Sequence, residues 1–497
     1  MELIPVVMAA GEGSGMSQLT SQCPKALLTV GNCPMVYYPV SMLERHGFPE
    51  AIVVVPKMYE DEIRTALTDT CGVKMRLDFV SVPDLDEWGT AQMLRHVRSR
   101  IPESSDLLVV GCDLITDINL NHVLHMFCKK RSSLVMLLSA IKDNVELPLP
   151  GAKVKGQSSR KDVIGMSEGS DRVLLVKTLA DANKEEVFDS AVLTRYPRMR
   201  VRTSMTDCHL YLMKRWVLDY LAFHKDCEKM TSLKHDLLPH IIKKQFPSEA
   251  RLQKSRAAWQ KKPTDDDEEL ERPKRLLPVN KDNDIYAFAE LYAACKVNSS
   301  DANLALALSG CHHRLDCVTG GSDADSLDDE EDMLSPPDND VIRCFAYVME
   351  SGFCVRTNTL RAYCEANRQV SKVFSVLVPS NKGLVHPSVK PKKSSQVGPD
   401  CIVGEGTSLG EKVSVKKSVV GRNCVIQDKA KVVNSIIMDQ VEIGQSSVLM
   451  NSIICTGALV AEMCELKDCI VAPSMSVHPL SKSNNEVISD VDRMIEG

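Results

Sequence analysis

Short aliphatic runs alternate with amphipathic stretches along the first half of the chain. The runs are rich in valine and apolar on both faces, which is typical of buried strands in a parallel sheet. The predicted strands are 4–10, 51–56, 75–82, 106–113 and 133–140. The predicted helices between them are 34–47, 60–71, 90–101 and 120–132. This alternation predicts a Rossmann-like α/β domain, which further strand and helix signals extend to residue 248.

A second pattern, with a period of 17 residues, runs through the C-terminal region. Aliphatic residues recur in three rows, with steps of six, six and five residues between rows. The rows are Val403, Val420, Ile437, Ile454 and Val471; Leu409, Ile426, Ile443, Val460 and Val477; and Val415, Val432, Leu449 and Leu466. We interpret them as the interior of a parallel β-helix, because stacked coils bury columns that one coil would expose. The alternative is an antiparallel β-domain with chance spacing.

The region between these two patterns has a different composition. Seven of the ten residues in Asp323–Asp332 are acidic, and such runs bury too little apolar surface to order themselves. A solvated tether and a docking or phosphorylation segment, with Ser322, Ser326 and Ser335 as acceptors, both remain open. The predicted organisation is an α/β domain (1–248), acidic, largely disordered insertions around a short helix at 283–298 (249–340), an ordered connector with a strand pair and a short helix (341–382), the β-helix (383–480) and a tail (481–497).

Composition narrows the function classes. The 497 residues carry a formal net charge of -6 and a pI near 6.1, so no global basic field favours nucleic acid. The 18 cysteines include no C-x-x-C pair. Zinc at Cys311, His312, His313 and Cys317 is the weaker alternative, since structural zinc needs four well-spaced ligands. No signal peptide or membrane-spanning run is evident. We expect a cytosolic protein with reduced cysteines and no direct contact with nucleic acid or membrane.

A glycine-rich loop follows the first predicted strand. Gly11 and Gly13 allow backbone N–H groups to approach phosphate oxygens, with Ser14 beside them and Lys25 as a mobile positive charge. Asp113 stands at the end of another predicted strand, where an open α/β sheet presents metal ligands. Such a set suits attack of a sugar phosphate on a nucleoside triphosphate, which needs a cationic clamp and a carboxylate-held metal ion. A purely structural turn is the alternative for the loop.

With these residues and the segment Gly89–Thr90–Ala91, the chain resembles sugar-nucleotide pyrophosphorylases. The resemblance implies a nucleotidyltransferase domain joined to a left-handed β-helix, with Gly89 and Thr90 near the base and Asp113 as the metal ligand. Three positions depart from the family pattern: Gly15 replaces an arginine, while Cys112 and His209 each replace a glycine. Loss of one preorganised donor costs roughly 2.7–4 kcal/mol in the transition state, and an imidazole would block the sugar. We therefore predict no catalytic residues, a vestigial nucleotide loop and a vestigial metal position.

The chain also contains the segments "GCDLITD" and "YCEANRQV". With these it resembles one branch of this family, the gamma and epsilon subunits of eukaryotic translation initiation factor 2B. The resemblance implies a subunit of the exchange factor that promotes GDP release from initiation factor 2. Only twenty residues follow Val477, whereas one helical repeat of the exchange module needs about 40–47. We thus expect the non-catalytic member of the pair, with the epsilon subunit, the other subunits and initiation factor 2 as partners. No cofactor is required in this reading, and residual nucleotide binding stays open; an active sugar-1-phosphate nucleotidyltransferase is the alternative function.

Overall fold

A computed structural model describes most of the chain. The described residues are 2–83, 88–140, 149–151, 162–178, 190–246, 285–286, 288–289, 341–378, 383–389, 391–392 and 394–489. The candidate zinc ligands and phosphorylation serines lie outside them. Ile285, Tyr286, Phe288 and Ala289 are helical and buried, in agreement with the helix predicted at 283–298.

A seven-stranded sheet forms the centre of the N-terminal domain. Its strands, from edge to edge, are β13 (Cys344–Met349), β8 (Leu134–Ser139), β12 (Thr206–Met213), β6 (Asp106–Gly111), β1 (Leu3–Met8), β4 (Glu50–Pro56) and β5 (Arg76–Val82). All neighbours pair in parallel except β12, which is antiparallel to β6 and β8. All five strands predicted in the first half lie in this sheet, which confirms the α/β prediction.

Helices cover both faces of this sheet because alternate strand residues point to opposite sides. Val7 belongs to one hydrophobic core and Val6 to the other. The helices are α1 (Ser17–Thr20), α2 (Tyr37–Arg45), α3 (Glu60–Thr65), α4 (Thr90–Val97), α5 (Leu120–Lys129), α6 (Ser190–Arg195), α7 (Arg215–Phe223), α8 (Leu238–Lys243) and α9 (Leu360–Leu377). Short 3-10 or π turns cover Ser14–Met16, Lys25–Leu27, Lys57–Tyr59, Ala66–Thr70, Arg98–Arg100, Lys225–Cys227 and Leu233–Leu237.

Smaller sheets decorate the domain. The pair β2 (Thr29–Val30) and β3 (Cys33–Pro34) is antiparallel, as is the pair β7 (Leu114–Thr116) and β14 (Cys354–Arg356). Strands β9 (Asp162–Ser167), β10 (Val173–Thr178) and β11 (Met199–Arg202) form a third, three-stranded sheet. No helix in the described part of the chain is both long and apolar enough for a membrane span.

The predicted connector 341–382 is part of the α/β domain, so the boundary at residue 248 is wrong. Strand β13 closes the large sheet by pairing with β8, while β14 pairs with β7. The two strands therefore do not form the predicted pair with each other. Helix α9 is also longer than expected, with 18 residues. Strand β13 is an apolar edge strand of the large sheet. Its partner β8 is far away in the sequence, so local patterns did not indicate this pairing.

The C-terminal domain is a parallel β-helix with three sheets. The first sheet holds β16 (Ile402–Val403), β19 (Val419–Val420), β22 (Ile436–Ile437), β25 (Ile453–Ile454), β28 (Ile470–Val471) and β31 (Val487–Ile488); the second holds β17 (Ser408–Leu409), β20 (Val425–Ile426), β23 (Glu442–Ile443), β26 (Leu459–Val460) and β29 (Ser476–Val477). The third holds β15 (Gln396–Val397), β18 (Ser414–Lys416), β21 (Lys431–Val433), β24 (Val448–Met450), β27 (Glu465–Lys467) and β30 (Lys482–Asn484).

All fourteen predicted inward residues are buried in one cluster, which confirms the β-helix. Its end differs from the prediction, because β30 and β31 pair with the preceding coil and carry the helix to Ile488. Part of the predicted tail 481–497 therefore belongs to the β-helix. Ser483 stands below Leu466 and breaks the aliphatic pattern of the third row. Ile488 continues the first row, 17 residues after Val471, and is the signal for this coil that the prediction missed.

The first sheet of the β-helix packs on the α/β domain. The residue before each inward residue there points outward and joins the α/β core. These outward residues are Ile402, Val419, Ile436, Ile453 and Ile470. In only one of the three rows, each inward aliphatic residue follows another aliphatic residue. This doubling is visible in the sequence and marks the side of the β-helix that packs on the α/β domain, which we call the docking face. Asn32 Nδ2 donates to the Val420 carbonyl at 2.8 Å across the same boundary.

Candidate functional site

The glycine-rich loop lies between β1 and α1, close to Lys25. Gly13 has a φ of +77°, and a Cβ there would meet Thr20 Cγ2 at 3.0 Å and Lys25 Cβ at 3.1 Å. Only glycine suits that conformation and that contact. Gly11 and Ser14 are exposed. Of the predicted loop residues, the structure thus places Gly13 against Lys25 and leaves Gly11 and Ser14 facing solvent.

Lys25 and Asp113, the predicted clamp and metal ligand, contact each other directly. Lys25 Nζ lies 2.6 Å from Asp113 Oδ2, and both side chains are buried. Arg356 Nε lies 3.2 Å from the same oxygen. Burial acts to raise the pKa of Asp113, but Lys25 and Arg356 outweigh it and hold that pKa well below its usual range. The carboxylate is therefore ionised and shared by two cations.

Arg356 corrects the expectation that the site has lost its arginine. It comes from β14, which pairs with the strand directly after Asp113. Thr357 fixes this strand, because its backbone N–H donates to the Asp113 carbonyl at 2.8 Å. The guanidinium forms its ion pair with Asp113 inside the protein. A separation of 243 residues hid this partner from sequence reasoning; the available signal was a charge within the apolar stretch "GFCVRT".

The position that carries an arginine in the family is closed by backbone. A Cβ on Gly15 would overlap the carbonyl oxygen of Asn358. Backbone cannot move aside as a flexible side chain can, so a larger residue at position 15 would displace the segment after β14. Gly15 is therefore required by the way that segment packs on the loop.

His209, the residue expected to block the sugar, lies beside Asp113, and its backbone is unusual. It sits at an irregularity in the pairing of β12 with β8, and its φ is +57°. Glycine adopts this conformation freely, whereas other residues pay on the order of 1 kcal/mol. Burial, then Arg356, lowers the pKa of His209 to about 4. The imidazole is thus neutral at pH 7, and it fills the space over Gly111 next to Asp113 Oδ1.

Three further charged groups extend this arrangement. Asp207 accepts hydrogen bonds from the His209 N–H at 2.9 Å and from the Tyr211 hydroxyl at 2.6 Å. Lys234 Nζ lies 2.8 Å from Asp162 Oδ2 and 3.9 Å from Asp207 Oδ2. We call the whole set the ion cluster; its members are Lys25, Asp113, Asp162, Asp207, Lys234 and Arg356. Three cations face three carboxylates, so the ion cluster has no net charge.

The ion cluster does not suit a metal ion at Asp113. Oδ2 already accepts from Lys25 and Arg356, and a metal would stand against both cations. Oδ1 is buried and has no hydrogen-bond partner among the described residues. No group of three or more metal-binding side chains converges anywhere in the described ranges. Asp236 accepts hydrogen bonds from the backbone N–H groups of Thr231 and Ser232.

Gly89 and Thr90, predicted near a nucleobase, contact protein. Gly89 caps α4, and a Cβ there would overlap the carbonyl oxygen of Thr231. The Thr90 hydroxyl accepts from the Leu233 N–H at 2.9 Å. These contacts tie the start of α4 to the segment 231–233. Nucleotide binding by these residues and by the loop stays a prediction.

Comparison with known families agrees with this fold. Residues 4–147 match the family model described as Nucleotidyl transferase, and residues 382–482 match the one described as EIF2B subunit epsilon LbH domain, where LbH denotes a left-handed β-helix. The fold and the site therefore define a nucleotidyltransferase-like α/β domain joined to a left-handed β-helix, as the sequence predicted.

Two of the similar proteins are subunits of a translation initiation factor. The chain is 25% identical to translation initiation factor eIF2B subunit gamma of Dictyostelium discoideum, over 83% of this chain and 86% of that protein. It is 29% identical to the subunit of the same name in Schizosaccharomyces pombe, over 50% of this chain and 53% of the relative. The bifunctional protein GlmU of Thermoanaerobacter pseudethanolicus is 28% identical over 40% of each chain. These matches confirm the resemblance to the gamma subunits.

Proposed function

We propose that the chain is a non-catalytic subunit of the guanine-nucleotide exchange factor that acts on translation initiation factor 2. It pairs with the catalytic epsilon subunit and helps that subunit promote GDP release. The names of the relatives support this role, and so does a β-helix of the kind matched in the epsilon subunit. The role belongs in the cytosol and requires no cofactor.

The ion cluster is the observation that carries the proposal. Nucleotidyl transfer needs cations free to meet an α-phosphate and a carboxylate free to hold a metal ion. Here Lys25 and Arg356 are bound to Asp113 itself. The two cations and the carboxylate that nucleotidyl transfer would use thus neutralise one another. A substrate would have to break a buried ion pair before it could bind.

Nucleotide exchange makes no such demand on a pocket. It requires surfaces that bind the partner more tightly in its nucleotide-free conformation than in its GDP-bound one. Two domains that share a hydrophobic core can supply these surfaces. The shared core between the first sheet of the β-helix and the α/β domain fixes their relative placement.

Co-expression with an epsilon subunit tests the proposal. We expect a stable complex, and faster release of fluorescent GDP from initiation factor 2 than with the epsilon subunit alone. The matched control is the same pair with Ile453→Asp in this chain, which should loosen the contact between its two domains. Failure to form a complex, together with an unchanged release rate, would contradict the proposal.

The second candidate function is an active sugar-1-phosphate nucleotidyltransferase, favoured only by the partial match to GlmU. The purified chain with GTP, mannose 1-phosphate and magnesium should release no pyrophosphate above background. Steady release that Lys25→Met abolishes would overturn the non-catalytic assignment, because a contaminating enzyme would not respond to that substitution.

A further inference from the structure

Two cysteines that are distant in sequence meet beside the ion cluster. Cys208 of β12 and Cys354 of β14 have their Sγ atoms 3.4 Å apart, and both are free thiols. Both side chains are buried. A disulfide bond is about 2 Å long, so the two sulfurs are already in van der Waals contact and need only a closer approach to bond.

The two thiols of the pair differ in acidity from each other, because the hydrogen bond to Cys354, and then burial, raises the pKa of Cys208 well above its usual value. The hydrogen bond from Cys208 lowers the pKa of Cys354, and Thr116 and Ser139 act in the same direction. Burial instead raises the pKa of Cys344 to about 12. Since the thiolate is the reactive form, Cys354 is the nucleophile of the pair. Cys344 belongs to the core on the other face of the sheet and is inert.

We propose that Cys208 and Cys354 form a reversible dithiol–disulfide pair that a small peroxide oxidises. The Cys354 thiolate attacks one peroxide oxygen, the O–O bond breaks, and a sulfenic acid and water result. The Cys208 thiol then attacks the sulfenic sulfur and expels a second water. The balance is two thiols and one hydrogen peroxide giving one disulfide and two waters, and a dithiol reductant reverses it.

Oxidation would fix a strand that carries part of the ion cluster. Cys354 stands two residues before Arg356, and Cys208 precedes His209. Their disulfide would tie β14 to the central sheet and close a loop between positions that are 146 residues apart. A crosslink of this kind constrains the unfolded state, so the oxidised protein should resist urea better than the reduced one.

Peptide mapping of the full chain tests the proposal. The native protein is treated with hydrogen peroxide, alkylated and cleaved with trypsin. We expect peptide 203–214 joined to peptide 344–356, at a mass two hydrogens below the sum of the two peptides with Cys344 alkylated. We also expect release of the link by dithiothreitol and a urea midpoint shifted upward.

Variants distinguish this pair from Cys344, the other cysteine of peptide 344–356. Cys208→Ser and Cys354→Ser should each abolish the link and the shift in urea midpoint, whereas Cys344→Ser should preserve both. Peroxide treatment that leaves Cys208 and Cys354 alkylated as thiols would overturn the proposal. So would a link that persists in Cys354→Ser through Cys344.

Discussion

Replacing Asp113 by asparagine removes the carboxylate that Lys25 and Arg356 share. The side chains of the three residues are 4%, 10% and 14% exposed, in that order. At distances of 2.6 and 3.2 Å, each attraction is on the order of 5–6 kcal/mol at an effective dielectric constant of about 20. Desolvation of the charges offsets part of this attraction. Breaking a buried pair while its cations remain costs about 3–5 kcal/mol, so Asp113→Asn should lower the free energy of unfolding by that amount.

Urea unfolding followed by tryptophan fluorescence measures this loss. Trp88 and Trp216 belong to the α/β domain, and Trp259→Phe in the background removes the third tryptophan. Because the chain has two domains, the midpoint of the α/β transition is the quantity to compare. Asp171→Asn is the matched control. It breaks an exposed pair with Lys130, and surface pairs contribute about 0–1 kcal/mol.

The opposite result would refute the reasoning. Carboxylates that are kept for catalysis often reduce stability, so their replacement stabilises the fold. An unchanged or higher midpoint for Asp113→Asn would therefore indicate a retained functional group. It would also remove the observation on which the non-catalytic assignment rests.

Three further substitutions test other parts of the structure. His209→Asn keeps a residue that tolerates positive φ but removes a group whose pKa falls from 6.5 to about 4 on folding. Wild-type stability should drop as the pH falls from 6.5 towards 4, because only the unfolded state takes up this proton. In urea titrations, the variant should therefore lose about 2 kcal/mol less stability between pH 7 and pH 5 than the wild type does. Gly15→Ala should destabilise by about 1–3 kcal/mol through its overlap with Asn358, whereas Gly11→Ala, with open space around it, should leave the urea midpoint within error. Ile453 is 1% exposed, so Ile453→Ala should lower the free energy of unfolding by about 2–5 kcal/mol, measured by calorimetry. Val425 is 42% exposed, and an equal loss of stability for Val425→Ala would contradict the assigned docking face.

Local periodicity sufficed for much of the architecture. The valine-rich runs of the first half predicted their strands because a strand buried on both faces must be apolar throughout. The 17-residue rows predicted the β-helix because each coil repeats the same three inward positions. Each signal depends on residues that are close together in the sequence. It can therefore be recognised without any knowledge of contacts between distant segments.

The candidate site was predicted only in part. Lys25, Asp113 and His209 were identified by position, and the structure brings them together. Arg356 and Lys234 were missed, and the predicted loss of positive charge was wrong. Neither residue lies in a motif, since an ion pair between distant segments places no constraint on local spacing.

The sequence by itself determined the two domains, the rows of their cores and the loop that carries Lys25, because these depend on the order of residues along one strand, helix or coil. Only the tertiary structure decided what Asp113 contacts, because β14 reaches it from 243 residues away. The physical reason is that charge neutralisation depends on distance in space. The same residues would form an open anion site or a closed ion cluster according to where that one strand packs.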